Sequence, residues 1–285
     1  MTAGVEARPL LLGLLGSPIK HSAAPAMHRA AGDATGFRVH YQLIDVPGAD
    51  ATRLRALLDA VRAFGFGGMN VTFPYKAAVL PFLDALAPGI DAMGAVNTIV
   101  ASDGRLTGHN TDSTGFGRAF DEVVGGALDR PVALIGAGGV GRAAAFALAA
   151  RGVVELRVLD SDRASAEALA VSLAGRARVV VARDAADALD GAAGLINGTP
   201  IGMLPNRDLP LPAGLLRPGL WVADAVYNPL WTPLLLAARD RGCRVMTGRE
   251  LCVHQACDAF ALFSGATPPY AAVAAAFDAV IAARG

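Results

Sequence analysis

Residues 132–141, VALIGAGGVG, restrict the fold of this chain more than any other stretch. A strand-length apolar run meets three glycines spaced Gly136-x-Gly138-x-x-Gly141, and a helix-forming segment follows at once. Each glycine answers a separate demand: Gly136 a tight turn, Gly138 the close approach of backbone to a pyrophosphate, and Gly141 close packing of helix on strand. The start of the helix adds free N–H groups and the positive end of its dipole. The spacing alone is weak evidence, but strand, turn and helix in this order give it meaning. The segment reads as a dinucleotide-binding turn formed by Gly136, Ala137, Gly138, Gly139 and Val140.

The surrounding pattern agrees. Apolar runs of strand length recur at 9–15, 39–46, 67–73, 132–136, 154–159, 177–182, 193–197, 220–226 and 243–247, with helical patterns such as 50–64 and 139–151 between most of them. Alternation of this kind predicts an α/β protein with parallel sheets built from βαβ units. Residues 95–108 are the exception, with Asp103-Gly104 between two short runs, the signature of a β-hairpin. A connecting helix is predicted over 112–124, capped by Asp112 or Ser113, and a fresh β-α-β series begins at Pro131. The chain thus divides into residues 1–112, completed by C-terminal helices from 255–285, and a Rossmann-type doubly wound domain over 113–254. At 285 residues there is material for two such domains.

The strand after the glycine turn ends in Asp160, 24 residues beyond Gly136. A carboxylate there accepts hydrogen bonds from the ribose hydroxyls of NAD and repels the 2′-phosphate of NADP. NAD is therefore the expected cofactor. Arg163 lies within reach of a phosphate and keeps NADP open, and Asp160 could also serve simply as a helix cap.

Composition excludes several classes of partner. Twenty-five acidic residues balance twenty-five basic ones and no basic cluster stands out, which argues against nucleic acid and anionic membranes. The run after Glu6 and Arg8 reads as a buried strand, not a signal peptide. No apolar stretch is long enough to span a bilayer. Cys243, Cys252 and Cys257 lack CxxC spacing and the five histidines lack ligand spacing, so buried thiols in a reducing cytoplasm are expected and no metal is. The sequence does not fix the oligomeric state; a homodimer is carried as the expectation.

Only two of the basic residues, Lys20 and Lys76, are lysines. Arginine does not give up its proton in a protein, whereas a lysine can be tuned to do so. Lys76 closes GMNVTFPYK, which sets Asn70, Thr72 and Lys76 at or beyond the carboxyl end of a strand, where α/β sheets hold ligands. GAVNT adds Asn97 and Thr98, and GHNTDSTG adds Asn110, Thr111 and Asp112.

Taken together, GSPIKHSAAPAMH, GMNVTFPYK, GAVNT, GHNTDSTG, IGAGGVGRA, INGTPIGM, DAVYNP and GRELCVHQA closely resemble the shikimate dehydrogenase family, including its quinate/shikimate branch. The tracts run from residue 13 to 256 in the family's order. The resemblance implies an N-terminal α/β substrate domain completed by the last helices, with a Rossmann-type domain between. It implies Lys76 as the catalytic lysine and Asp112 as its partnering aspartate. It further implies Ser22, Thr72, Asn97, Tyr227 and Gln255 as contacts to a cyclic hydroxy acid, and Thr199, Val226 and Gly248 as further cofactor contacts. The implied reaction is hydride exchange between NAD(H) and a ring hydroxyl or ketone of shikimate or quinate. A lysine of lowered pKa can move the hydroxyl proton, although a neighbouring carboxylate opposes that lowering, so desolvation or cofactor charge must contribute.

Two departures stand out. Where the family usually carries Ser-x-Ser or Ser-x-Thr for the substrate carboxylate, this chain has Ser22-Ala23-Ala24. Where NADP-type members carry Asn-Arg-Thr, it has Asp160-Ser161-Asp162, as NAD-using members of the quinate/shikimate branch do. Two rival readings remain: an NADP-dependent shikimate dehydrogenase of aromatic biosynthesis, and a catalytically silent dinucleotide sensor, against which the joint presence of Lys76 and Asp112 argues.

Overall fold

The computed structural model describes residues 7–284, so Glu6 lies outside it. The described residues form two compact units. One comprises those up to Thr111 together with those from Gln255 onward; the other is Asp112–His254.

The first unit is built on a six-stranded mixed sheet. Its strands are β1 (Arg8–Gly16), β2 (Phe37–Asp45), β3 (Gly68–Val71), β4 (Ala85–Leu86), β5 (Thr98–Ser102) and β6 (Arg105–His109), in the order β2-β1-β3-β5-β6-β4. β1 pairs parallel with β2 and β3, as βαβ units require, through α1 (Ala24–Thr35) and α2 (Ala51–Ala63). The predicted hairpin forms between β5 and β6 with Ser102 opposite Arg105. Asp103 and Gly104 both take positive φ, 52° and 73°, the backbone that a two-residue hairpin turn demands. Leu15, Leu54, Leu58, Met69, Val71, Ile99 and Leu106 form the core between this sheet and α2.

The second unit carries a fully parallel sheet. β7 (Val132–Ile135), β8 (Glu155–Leu159), β9 (Arg178–Val181), β10 (Gly194–Asn197), β11 (Trp221–Asp224) and β12 (Arg244–Met246) lie in the order β12-β11-β10-β7-β8-β9. Chain order reverses between β7 and β10, and that switch point is where doubly wound sheets place ligands. Further helices are α3 (Ile90–Met93), α4 (Thr111–Ala119), α5 (Gly139–Ala149), α6 (Arg163–Ser172), α7 (Ala185–Leu189), α8 (Pro233–Asp240), α9 (Gly248–Ser264) and α10 (Tyr270–Ala282). α10 packs on α1 within the first unit.

Two local expectations are corrected. α4 starts at Thr111, so Asp112 and Ser113 lie inside its first turn and do not cap it. The side chain that satisfies the helix start comes from another segment: Asn97 Oδ1 accepts the Thr111 N–H at 2.7 Å. The helix expected to run to residue 124 is α-helical only to Ala119; Phe120–Val124 continues it as a wider π turn. That turn keeps Phe120 buried with its ring edge-on to Trp221, centroids 5.4 Å apart.

Among the described residues no helix is long and apolar enough to cross a membrane, and no group of three or more His, Cys, Asp or Glu is arranged to hold a metal. All three cysteines are buried and none forms a disulfide.

Candidate active site

In the first unit, the predicted polar residues gather at one edge of the sheet, at the carboxyl ends of β3 and β6 and the amino end of the antiparallel β5 between them. β3 ends at Val71, and Thr72 comes next with its N–H on the Leu15 carbonyl at 2.9 Å. Thr72 packs its methyl where a Cβ on Gly16 would otherwise sit, so that glycine admits it. The chain then turns through a cis Phe73–Pro74 bond. Tyr75 anchors the turn: its Oη donates to the Val46 carbonyl and accepts the Ala49 N–H at 2.8 Å. Lys76 is next, half-buried, with its carbonyl accepting the Val96 N–H at 2.8 Å. The lysine thus stands on backbone held from both sides.

Beside it runs a buried network of neutral groups. Tyr41 Oη donates to Asn70 Oδ1 at 2.9 Å, and Asn70 Nδ2 donates to Thr98 Oγ1 at 3.1 Å. Thr98 Oγ1 donates to Asn97 Oδ1 at 3.0 Å, and Asn97 Nδ2 donates to Thr111 Oγ1, also at 3.0 Å. Asn110 Nδ2 donates to the Ala95 carbonyl at 2.9 Å. Satisfied amides and hydroxyls of this kind are rigid, because each broken bond leaves a costly orphan. The network fixes Asn97 and the first turn of α4, which carries the buried Asp112. Tyr41 also stacks on His28, ring centroids 4.8 Å apart at 20°. His28 is fully buried with no hydrogen-bond partner on either ring nitrogen. Burial pushes its pKa down to about 3, only the neighbouring Asn70 amide acting in the opposite sense.

Ser22 precedes α1, and its Oγ accepts the Ala24 N–H at 3.2 Å. Ala24 is the first residue of α1, and Ala23, at the N-cap, supplies no side-chain cap.

In the second unit, Gly136 takes φ +94°, where other residues are strained, and a Cβ there would meet the Thr199 methyl at 2.6 Å. A Cβ on Gly141 would collide with the Gly136 carbonyl oxygen, so α5 packs on β7 only because position 141 lacks one. A Cβ on Gly138 would meet nothing within 4 Å, which leaves the face of the turn open. Gly138 is the N-cap of α5 and offers no side chain to its first N–H groups. These features fit a pyrophosphate. Asp160 Oδ2 accepts the Ala137 N–H at 2.7 Å and Oδ1 the Asp162 N–H at 2.9 Å. The carboxylate therefore stands against the glycine turn, and the cap of α6 is Asp162, not Asp160. Arg163 Nε donates instead to Glu167 at 2.8 Å, one turn along α6. Val226 and Gly248 are brought together: a Cβ on Gly248 would sit 2.5 Å from the Val226 carbonyl oxygen. Tyr227, next to Val226, is half-buried; Gln255, half-buried in α9, belongs to the first unit.

The residues matched by the family model for the shikimate dehydrogenase substrate binding domain are 14–99. A quinate/shikimate dehydrogenase (NAD(+)) of Corynebacterium efficiens is 45% identical over 94% of this chain and 97% of its own length. The chain belongs to the shikimate dehydrogenase family. A shikimate dehydrogenase (NADP(+)) of Streptomyces avermitilis from the same family is 44% identical over 90% of this chain and 91% of its own. The solved quinate dehydrogenase from Corynebacterium glutamicum in complex with NAD superposes with a TM-score of 0.87 at 42% identity, covering 95% of this chain and 99% of that one.

Sequence reasoning passed over the residues that support these sites, namely Tyr41, Tyr75, Asn197, Asp224 and Thr232. A signal was present for two of them: the buried runs GLIN and WVAD each end in one polar side chain, Asn197 and Asp224.

Proposed function

We propose that this chain is an NAD-preferring dehydrogenase that reversibly oxidises a ring hydroxyl of shikimate or quinate to the ketone. The observation that carries the cofactor preference is Asp160, whose carboxylate stands against the glycine turn on the Ala137 N–H. An acid there accepts from ribose hydroxyls and repels a 2′-phosphate. The unit over Asp112–His254 carries the cofactor contacts together with Asp112 and Tyr227, and the other unit carries the remaining contacts to the hydroxy acid. NAD, when bound, supplies hydride acceptance. Lys76 takes the hydroxyl proton, with Asp112 as its partnering carboxylate. Thr72, Asn97, Tyr227 and Gln255 orient the ring, and Ser22 donates to its carboxylate. The backbone anchors on either side of Lys76 support such a role, since general acid–base help depends on placement within hydrogen-bond reach.

NADP-dependent shikimate dehydrogenase is kept as a second reading, on the 44% identity to a relative of that name. Assays crossing shikimate and quinate with NAD and NADP decide between the two. Higher kcat/KM with NAD is expected, and equal or better rates with NADP would overturn the preference. The buried, unbridged thiols fit a reducing cytoplasm, and a homodimer is the expected assembly, to be read by light scattering on the purified chain.

A further inference from the structure

One buried carboxylate has no part in the proposed proton and hydride transfer. Asp224 ends β11 directly opposite Asn197, which ends β10. Both are inaccessible, Asp224 at 1% exposure and Asn197 at 0%. Asp224 Oδ1 accepts the Val226 N–H at 2.9 Å and Asn197 Nδ2 at 3.0 Å. Its Oδ2 accepts the Thr232 hydroxyl at 2.7 Å. Each of these donors fixes a different segment. Asn197 Oδ1 accepts the Thr199 N–H at 3.1 Å and the Thr199 hydroxyl at 2.7 Å, while its Nδ2 also reaches the Ile201 carbonyl. Thr232 Oγ1 caps α8 by accepting the Leu235 N–H at 3.2 Å. Val226 leads into Tyr227.

Among the described residues no cation pairs with this carboxylate: its acidity is set by burial, which raises the pKa to about 6, and by the three donors, which oppose that rise. A buried carboxylate without a cation is costly, and a pair of packed loops could be held by apolar groups instead. The carboxylate supplies three convergent hydrogen bonds with fixed directions, stronger than neutral ones. The segments so fixed lie at the carboxyl ends of β10 and β11, across the switch point from the glycine turn and Asp160. Each half of such a sheet holds one mononucleotide, and with the adenosine ribose at Asp160 this half faces the nicotinamide. These segments carry Thr199, whose methyl abuts Gly136, and Val226, whose carbonyl abuts Gly248.

We infer that Asp224 is a positioning residue for the cofactor, whose carboxylate sets the spacing of the loops after β10 and β11 against the nicotinamide half of the dinucleotide. This rests on the proposed NAD-dependent function. The test is calorimetric titration of the full chain with two probes, NAD and ADP-ribose, the latter lacking the nicotinamide. Asp224→Asn keeps the shape, but its amide nitrogen cannot accept the Thr232 hydroxyl proton, which loses its acceptor, and its neutral oxygen accepts more weakly from Val226 and Asn197. Its Kd for NAD is expected to rise at least tenfold while its Kd for ADP-ribose changes less than twofold. Thr232→Val removes one donor and is expected to raise the NAD Kd about threefold, again without effect on ADP-ribose; its ratio decides the matter if Asp224→Asn does not fold. Equal losses for both probes would make Asp224 a general prop of the unit, and no loss for either would make it dispensable; both outcomes overturn the inference. Should the unaltered chain bind NADP in place of NAD, only the cofactor preference falls. The same ratio, taken with NADP and 2′-phospho-ADP-ribose, then decides the inference.

Discussion

The two units solve the same problem, holding polar groups still inside a protein, by different physical means. The first unit uses neutral groups: Tyr41, Asn70, Thr98, Asn97 and Thr111 share hydrogen bonds in sequence, and His28 beside them is kept uncharged. The second gathers three donors onto a single carboxylate, Asp224. Their pH responses run in opposite directions. His28 has a folded pKa below its unfolded value, so its contribution to stability is present above about 6.5 and is lost as pH falls toward 3. Asp224 has a folded pKa above its unfolded value, so its contribution is present below about 3.8 and is lost as pH rises through about 6. Between pH 4 and 6 the two slopes oppose each other. The difference teaches that a chain of neutral groups is safe next to the lysine proposed to exchange protons, whereas a single buried charge serves better where loops must be fixed without chemistry.

The sharpest way to break this comparison is to separate chemistry from cofactor binding. Lys76→Ala is expected to lower turnover by about 10²–10⁴-fold, the usual worth of general acid–base catalysis, with the NAD Kd unchanged. A variant that turns over normally would remove Lys76 from the reaction, and a raised NAD Kd would end the division of labour. Asp160→Ala acts on the other unit. Loss of its charge-assisted hydrogen bonds is expected to weaken NAD by about 10–100-fold and to narrow the gap to NADP, read as the ratio of the two kcat/KM values.

The pH contrast has its own test. His28→Phe retains a ring against Tyr41 and removes the titration. Relative to the unaltered chain it is expected to gain about 2 kcal/mol at pH 5 compared with pH 8, from roughly 1.4 kcal/mol per pH unit below 6.5. Urea denaturation at both pH values measures this, and parallel curves would mean that His28 does not titrate on unfolding. The smallest effect is expected at the edge of the neutral site. Ala24→Ser restores a hydroxyl at the start of α1 and is expected to lower KM for the carboxylate substrate about tenfold, the low end of the worth of a hydrogen bond to a charged group. An unchanged KM would show that the carboxylate is already satisfied without it.

Features set by local residue chemistry could be read in the chain. The dinucleotide turn is one, because only glycine tolerates φ +94° at 136 and the contact between 141 and the Gly136 carbonyl. The hairpin at Asp103-Gly104 is another, since both residues must take positive φ. Asp112 marks the limit. Its residue type favoured a helix cap, yet Asn97 does the capping across 14 residues of sequence, and Asp112 lies one position into the helix. A cap is a bond to whatever acceptor the fold supplies, and propensity sees only acceptors nearby in the chain.

The sequence by itself determined the alternation of most strands and helices, though not the two-residue β4, and it determined the open glycine turn and the acid that follows the next strand, because each depends on φ, periodicity or a fixed short spacing. Only the tertiary structure decided which polar groups meet. Asn197 and Asp224 are 27 residues apart and become partners because β10 and β11 pair in one register out of several. Tyr41 reaches Asn70 only because β1 places β2 and β3 on its two sides. Hydrogen bonds need a donor and an acceptor within about 3 Å, and at these separations strand pairing, not spacing along the chain, sets that distance.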